Sequence, residues 1–539
     1  MRFPSPFLRA AMAVPLLLMV TLMLAACGGG GSGSDAPGQV TPTGGTQPGP
    51  GPGVTPGLPE PDIVAPTARF LTPPPALFKD QALVVAFSEP MDTGSLALTG
   101  DLAAVATPNW NSRADTLTLV PGPNGWPRGP GHTIGLAARD KAGNGLAPLQ
   151  SQFLVRLDFS HHQPAVAVIG QQAFDGVYAN QPFPPARSSG RNLSSPIGNP
   201  YLYPDGRLVI PDTGNHRLLV FNAIPAVNDA PASGVIGQPD FSTNLTVIDS
   251  GHRLQPRGMA VWGDRFIVSE YGADRVAVYA QSPLADAALL PSAVLGVSDF
   301  TTDTRLGVSF PPCNASRLLQ PTGIVVTPGG KLLVADSGHN RVLIWNQIPL
   351  TSGQPADLVL GQPDFTSCEA NAPMSQGGAS LVSNRSLAAP VGLWTDGTRL
   401  VVIDAGNHRA LIWNSFPRSN FQPADLVLGQ PDFTTARPVS TPTDATVSSG
   451  NAAGGFYGEV TSNGVQLVIT DPYAYRVLLW NNFPTRNFQP ADGVLGQASF
   501  TESVIATSQR SLYFPVGLLL TSDHLLVSNG HRVSVFKSN

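Results

Sequence analysis

The sequence predicts an all-β protein in which a small β-sandwich precedes a six-bladed β-propeller. After residue 160, a polar turn, an arginine and an apolar run ending in an aromatic residue recur six times, and most of the turns begin with an acidic residue. The arginines are 58, 66, 68, 67 and 56 residues apart, a period typical of propellers and solenoids. The composition agrees, because 56 glycines, 54 prolines and only 12% charged residues suit many short strands joined by turns.

The repeated turns supply a set of candidate structural residues. They are Asp212 with Arg217, Glu270 with Arg275, Asp336 with Arg341, Asp404 with Arg409, Asp471 with Arg476, and Arg532. An acidic residue before a turn and an arginine after it can satisfy turn amides and pair with each other. We therefore expect these residues to brace the scaffold.

Residues 1–27 predict a secretory signal. Arg2 and Arg9 precede the apolar residues 10–26, a stretch too short and wrongly flanked for a membrane span. The end of this stretch, residues 24–27, resembles the lipobox of bacterial lipoproteins, which implies that Cys27 is lipidated and tethers the protein to a membrane. The alternative is an ordinary signal peptide with a chance cysteine. No aspartate follows Cys27, so the resemblance implies the outer membrane of the cell envelope, facing the periplasm or the surface.

Residues 28–62 are rich in Gly, Pro, Ser and Thr and poor in apolar residues, which predicts a disordered linker. It would hold the folded part away from the membrane. The net charge of -5 and the lack of a Lys/Arg-rich run argue against nucleic acid as a partner.

Residues 63–157 alternate in period two around 83–87, 116–120 and 132–136, which predicts a small sandwich of short strands. The string at 87–92, Trp110 and residues 140–144 resemble the bacterial Ig-like domain of surface proteins. Glu89, Asp92 and Asp140 are candidate calcium ligands there, but capping of turns is the commoner use of such residues.

Residues 160–539 resemble the NHL-repeat propeller family, through the turns at 212–217 and 404–409 and, in part, the four other turns. One unit divides into strands at 390–395, 399–403, 409–413 and 424–428, which gives a four-stranded antiparallel blade. The chain ends soon after Arg532 with no further strand. We therefore expect the strand at 166–169 to complete the sixth blade and close the ring.

Two sets of conspicuous side chains recur around the predicted ring. One position holds the aromatic residues Phe221, Tyr279, Trp345, Trp413, Trp480 and Phe536, as packing between blades requires; a ligand-stacking ladder is the alternative. Four turns carry a histidine, namely His216, His339, His408 and His531. Because two of the six turns lack one, we expect these histidines to be structural or solvent-facing.

A propeller enzyme would require metal ligands on the innermost strands, predicted at 196–202, 256–262, 321–326, 390–395, 456–462 and 515–520. These strands offer one acid, Glu459, one base, Arg257, and no histidine. A catalytic metal needs three or more protein ligands around an open position. We expect a protein without cofactor or catalytic residues, and keep a propeller lyase or hydrolase with a metal in the central channel as the alternative.

Loop lengths indicate where a partner binds. Four of the connections after the third strand have the same length, 15 residues from an Asn to a Gly, as from Asn346 to Gly361. The connections between blades vary, with 22, 15, 21, 25 and 15 residues from a terminal Phe to the next Pro. Repeat proteins commonly bind where insertions accumulate. The predicted binding face therefore carries residues 301–320, 366–389 and 434–455, and its partner would be a protein or a polysaccharide.

Two cysteines remain, Cys313 and Cys368, each in a loop expected on that face of adjacent blades. In an oxidising envelope they are either a disulfide or two separate thiols. The favoured function is a lipid-anchored envelope protein that binds a partner through its propeller. A purely architectural role at the cell surface is a further possibility.

Overall fold

The computed structural model describes residues 60–72, 76–181, 187–284, 289–302, 313–372, 381–450 and 455–539. The predicted signal segment, Cys27 and all but the end of the predicted linker lie outside these residues. Within them, no helix has the length and apolar character needed to cross a membrane. Asp62–Asn539 form one compact unit.

The amino-terminal part of this unit is a sandwich of two four-stranded sheets. In chain order its strands are β1 (Ala68–Phe70), β2 (Ala76–Leu77), β3 (Leu83–Phe87), β4 (Met91–Thr99), β5 (Ala106–Trp110), β6 (Thr116–Pro121), β7 (Gly129–Asp140) and β8 (Leu149–Val155). The sheet orders are β1-β3-β6-β5 and β2-β8-β7-β4. The period-two pattern places Leu83, Val85 and Phe87 in the core, where Trp126 is also buried.

The carboxy-terminal part contains six four-stranded sheets, the blades of the predicted propeller. Their strands begin with β9 (Ala167–Ile169). Blade 1 has β10 (Tyr201–Leu202), β11 (Leu208–Asp212), β12 (Arg217–Phe221) and β13 (Gly234–Ile236), and blade 2 has β14 (Pro256–Trp262), β15 (Arg265–Glu270), β16 (Arg275–Tyr279) and β17 (Ala293–Leu295). Blade 3 has β18 (Pro321–Val326), β19 (Leu332–Asp336), β20 (Arg341–Trp345) and β21 (Leu358–Leu360), and blade 4 has β22 (Pro390–Thr395), β23 (Leu400–Asp404), β24 (Arg409–Trp413) and β25 (Leu426–Leu428).

Blade 5 has β26 (Val460–Ser462), β27 (Leu467–Asp471), β28 (Arg476–Trp480) and β29 (Gly493–Leu495), and blade 6 has β30 (Pro515–Leu520), β31 (His524–Asn529) and β32 (Arg532–Lys537). Strand β9 supplies the fourth strand of blade 6, with Val533 opposite Ile169 and Val535 opposite Ala167. The predicted all-β fold with six four-stranded blades is confirmed.

The core of the propeller lies between neighbouring blades. The six repeated aromatic side chains are at most 3% exposed. Trp413, for example, packs in one cluster with Leu333 and Ala335 of the preceding blade. The indole nitrogens of Trp345, Trp413 and Trp480 each donate to a backbone carbonyl 3.1 Å away, which satisfies their one polar group.

Two innermost strands are shorter than predicted. The prediction gave residues 196–202 and 456–462, whereas β10 spans only Tyr201–Leu202 and β26 only Val460–Ser462. In blade 1 the backbone N–H of Gly198 donates to Val516 of blade 6 (3.0 Å) instead of to its own blade. In blade 5 the N–H of Glu459 donates to the Thr470 hydroxyl (2.7 Å). The Glu459 carbonyl also accepts the Thr470 N–H (3.0 Å), so this residue stays paired with its own blade although β26 begins at Val460.

Candidate functional site

The turn arginines of the first five repeats are buried and paired with the acidic residues named above. The Arg Nε to carboxylate distances are 2.7 Å for Arg217–Asp212 and Arg341–Asp336, and 2.8 Å for Arg409–Asp404 and Arg476–Asp471. In blade 2, Arg275 Nη2 lies 2.8 Å from Glu270. All of these side chains are 0% exposed. A partner therefore cannot touch them while the propeller is folded.

Each turn arginine also holds the connection between two blades. Arg341 donates from Nη1 to the carbonyl of Phe365 (2.8 Å) and from Nη2 to the carbonyls of Asn314 and Arg317 (both 2.9 Å). The other five arginines likewise donate to the terminal Phe and to a connection carbonyl. The arginines thus fix the ends of the inter-blade connections.

Two blades depart from the acid–arginine pattern. In blade 2 the longer Glu270 also pairs with Arg253, which occupies the position that Leu or Val fills beside the equivalent glycine of the other blades. In blade 6 an asparagine replaces the acid, and Arg532 Nε donates to Asn529 Oδ1 at 3.2 Å. Arg532 is buried and has no carboxylate partner at this position. Burial therefore lowers the pKa of Arg532 to about 10.

The turn residues with left-handed backbone conformation link one blade to the next. His216, Asp274 and Asn340 have φ angles of 56°, 50° and 55°. Their side chains accept the backbone N–H of Gln255 (3.2 Å), Gln320 (2.8 Å) and Ala389 (2.9 Å), which directly precede the next innermost strand. His531 accepts from Ser195 in the same way at 3.0 Å.

The two remaining turn histidines lie in different blades. His339 bonds the Asp336 carboxylate at 2.9 Å. His408 is buried, its Nδ1 has no partner among the described residues, and burial lowers its pKa. The four histidines are spread over four blades and do not converge.

The two propeller cysteines are joined. Cys313 and Cys368 form a disulfide with a Cα–Cα distance of 6.3 Å. Their bond links the connection between blades 2 and 3 to the connection between blades 3 and 4. The described ends of these two connections lie on the same face as the described end of the connection at 434–455, and this face is called the variable-loop face from here on.

A central cavity of about 250 Å³ opens on the variable-loop face. Its lining includes Gln320, Ala389 and Gly455, which are the last residues of the three long connections. The remaining lining residues are Arg257, Tyr271, Thr322, Ser337, Gly338, Asn340, Val391, Phe456 and Tyr457. None of these described lining residues is a histidine, a cysteine or an acid. The cavity therefore lies where the predicted binding loops meet the propeller axis.

Arg257 is the cation of this central cavity. Its guanidinium carbon lies 3.5 Å from the centre of the Tyr271 ring and 5.8 Å from that of Tyr457. It has no acidic partner within 4 Å among the described residues, and its buried Nε has no hydrogen-bond partner there. Burial lowers the pKa of Arg257, opposed by the tyrosines and by Glu459.

Glu459 and Arg257 line a smaller adjoining hollow of about 10 Å³, to which Thr322 also contributes. The Glu459 side chain is 6% exposed and its Oε2 has no hydrogen-bond partner among the described residues. Burial raises the pKa of Glu459 well above its usual value, although Arg257, the Asn199 side chain and the Val460 backbone act in the opposite direction. The raised pKa favours the neutral acid over the carboxylate at this position.

A ring of glycines closes in below Arg257. A Cβ on Gly258 would lie 2.3 Å from the Thr322 carbonyl oxygen, and one on Gly323 would lie 2.3 Å from that of Val391. Gly198, Gly392 and Gly517 meet the backbone of a neighbouring blade in the same way. In the sequence, these glycines belong to Pro-x-Gly triplets at or just before the innermost strands of five blades. The fifth blade has Phe456, Tyr457 and Gly458 instead.

Two further hollows lie away from this site. One of about 300 Å³ is lined mainly by apolar residues that follow the glycines, including Met259, Ile324 and Leu393. A groove of about 710 Å³ lies between blades 3 and 4 beside the fixed-length connections. Its acids are already engaged, because Asp396 pairs with Arg399 (2.6 Å) and Asp357 accepts the Asn346 N–H (2.7 Å). We do not take either hollow as the candidate site.

Two of the three candidate calcium ligands of the sandwich lie close together and the third does not. Carboxylate oxygens of Asp62, Glu89 and Asp140 lie within 4.8 Å of one another, whereas Asp92 is not in this group and caps its own turn through the Gly94 N–H (3.0 Å). Asp140 also caps a turn, accepting the Asn144 N–H at 2.8 Å. Partial burial and the neighbouring carboxylates raise the pKa of Glu89. Two members of the cluster thus cap turns, since Asp62 also accepts the Val64 N–H at 3.0 Å.

One blade of the propeller contains a segment that is similar to the NHL repeat. The sequence model of the NHL repeat matches residues 318–345, which span the first three strands of blade 3. Comparison with curated proteins gives no match.

The solved structures similar to this chain include a lyase, a protein named AztD and a cyclase. A streptogramin B lyase is 10% identical, covering 83% of this chain and 99% of its own, with a TM-score of 0.31. AztD of Citrobacter koseri is 9% identical, covering 71% and 93%, with a TM-score of 0.28. A Myxococcus xanthus glutaminyl cyclase is 8% identical, covering 57% and 93%, with a TM-score of 0.22. Because the sequence identities and TM-scores are this low, the names apply to those three proteins and give no information about the function of this one.

Proposed function

We propose that this protein is a lipid-anchored binding protein of the cell envelope, whose propeller captures a protein or glycan partner through the variable-loop face. The observation that carries the proposal is the position of the central cavity between the ends of the three long connections. A cavity and a set of loops of varied length thus occur on the same face. Recognition sites commonly combine such loops with a rigid scaffold.

The turn arginines support this division of roles. They hold the ends of the connections through backbone carbonyls, so the side chains between those ends can vary without loss of the bracing bonds. The disulfide between Cys313 and Cys368 ties two of the connections together. Preorganised loops lose less conformational entropy when they bind, which favours affinity.

The test replaces residues 301–320, 366–389 and 434–455 with copies of the protein's own short connection, residues 501–514. That connection already provides a carbonyl, from Ser511, for a turn arginine. The matched control exchanges residues 347–356 with 415–424, which belong to fixed-length connections on the opposite face. Partner capture is measured by cross-linking and co-purification from envelope extract, and folding by thermal unfolding.

We expect the loop replacement to abolish capture of a partner that the control still captures, with both proteins folded. Capture by the loop-replaced protein would refute the assignment. Metal that stays bound through purification, with an activity lost on chelation, would instead support the lyase or hydrolase alternative. The membrane tether is tested separately, because Cys27→Ser should move the protein from the membrane fraction to the soluble envelope fraction.

A further inference from the structure

We propose that the central cavity is a binding site for a carboxylate group, with Arg257 as the recognition cation and Tyr271 and Tyr457 as its walls. This inference rests on the proposed function and specifies the chemistry that the variable-loop face recognises. The carboxylate would belong to a small acid, to a peptide or to an acidic sugar of the partner.

The scaffold does not require an arginine at this position. The equivalent residues of the other five innermost strands are Ile197, Thr322, Val391, Tyr457 and Val516, and none of them is charged. The turn arginines, in contrast, each make several hydrogen bonds that brace the blades. Arg257 is half-buried and has no acid within ion-pair distance among the described residues, so an anion that enters the cavity would offset the cost of its partial desolvation.

The guanidinium of Arg257 keeps an unpaired, buried Nε among the described residues. The guanidinium carbon lies 3.5 Å from the centre of the Tyr271 ring, a cation–π contact that restrains the position of the group. Its Nε is buried without a hydrogen-bond partner among the described residues, while the Tyr271 side chain acts as a hydrogen-bond acceptor toward the guanidinium. A planar carboxylate can accept two parallel bonds from such a fork.

The other polar groups favour one negative charge over two. Ser337 donates to Pro390, Thr322 to Val391 at 3.1 Å, and Asn340 to Cys368 at 2.9 Å, so these side chains are already engaged. Arg257 is the one cation among the described lining residues. A phosphate dianion would need a second positive group, and a metal cation would be repelled by Arg257. Glu459 in its protonated form is compatible with a carboxylate nearby.

The volume limits the size of what enters. About 250 Å³ corresponds to roughly eight water molecules at about 30 Å³ each. This space accommodates one acidic residue or one sugar ring. A larger partner would therefore insert a single acidic group while the loops around the cavity contact the rest.

The test is calorimetric titration of the full chain with carboxylates and their neutral counterparts. The probes are N-acetylglycine against N-acetylglycinamide, D-glucuronate against D-glucose, and inorganic phosphate. The variants are Arg257→Gln, Arg257→Lys and Glu459→Gln. The matched control is Arg265→Gln, because Arg265 also lies over an aromatic ring, that of Trp262 (6.0 Å), in the same blade but away from the cavity.

We expect a carboxylate to bind at least tenfold more tightly than its neutral counterpart and than phosphate, and the preferred carboxylate identifies the peptide or sugar source. Arg257→Gln should weaken binding about 10- to 100-fold, Arg257→Lys less, and Arg265→Gln not at all. Binding should also weaken as pH rises and Glu459 ionises, and Glu459→Gln should remove that dependence.

Equal binding of carboxylate and neutral probes, tighter binding of phosphate, or no binding of any probe would overturn the inference. So would wild-type affinity in a folded Arg257→Gln protein; if that variant does not fold, the comparison of probes on the wild-type protein decides. The proposed function fails independently, through the loop replacement. Loss of capture on loop replacement together with full capture by Arg257→Gln would reject the carboxylate site alone.

Discussion

Replacing Arg409 with leucine should destabilise the propeller by about 3–5 kcal/mol, the usual cost of leaving one partner of a buried ion pair alone. Asp404 is fully buried and would keep only the N–H of Ala388 and the side chain of Asn407, each 2.7 Å away. The carbonyls of Phe433, Ser383 and Ser386 would also lose their donor.

The double variant separates the ion pair from the other bonds. Asp404→Asn with Arg409→Leu removes both charges, so its loss of stability should be smaller than the sum of the single losses by about 1–3 kcal/mol. The assay is equilibrium unfolding in guanidinium chloride, followed by tryptophan fluorescence, since Trp413 of the same blade is 1% exposed. Arg385→Leu, at an exposed arginine of the same connection, is the control and should change stability by less than about 0.5 kcal/mol.

The reasoning would be refuted if Arg409→Leu cost less than about 1 kcal/mol, the value of an exposed pair. Additive single losses, within about 0.5 kcal/mol, would also refute it. Either result would mean that the turn pairs do not brace the blades, and that their burial has another cause.

Three further outcomes are expected. Asn529→Asp gives Arg532 a carboxylate and should raise stability by about 1 kcal/mol in thermal unfolding. The gain from the charged bond is partly offset because the amide's bond to the Val527 carbonyl is lost. A variant less stable than the wild-type protein would contradict this prediction. Replacing Cys313 and Cys368 with serine should lower the free energy of unfolding by about 4 kcal/mol for a separation of 55 residues, with no loss under reducing conditions. Burial lowers the pKa of His408, so the unfolded chain takes up its proton first; stability should fall as pH drops below about 6.5, and less so in His408→Asn, which copies Asn340.

The sequence predicted the strands well where each blade bonds within itself. The innermost strands at 256–262, 321–326, 390–395 and 515–520 have the predicted bounds, because Pro marks their start and apolar residues fill them. Before β26, Glu459 still bonds Thr470 of its own blade, whereas in blade 1 the N–H of Gly198 bonds across to blade 6, which leaves β10 shorter than predicted. Bonds of that kind depend on tertiary contacts, which local pattern does not encode.

The candidate site was only partly visible in the sequence. In the sequence, Arg257 and Glu459 are the one base and the one acid of the predicted innermost strands. Two such residues are too few to bind a catalytic metal, and their pattern alone indicates no other site. Their joint position follows from the ring of blades, which brings together residues about two hundred positions apart. The Pro-x-Gly triplets could have indicated the glycine ring, and with it which side chains line the cavity above.

The most direct test of the central claim is a hydrogen–deuterium exchange footprint of the protein with its captured partner. We expect slower exchange in residues 313–320, 381–389 and 443–450 and around Arg257, with the fixed-length connections at 346–361 and 414–429 unchanged. Protection confined to those fixed-length connections, with the variable-loop face exchanging as in the free protein, would contradict it.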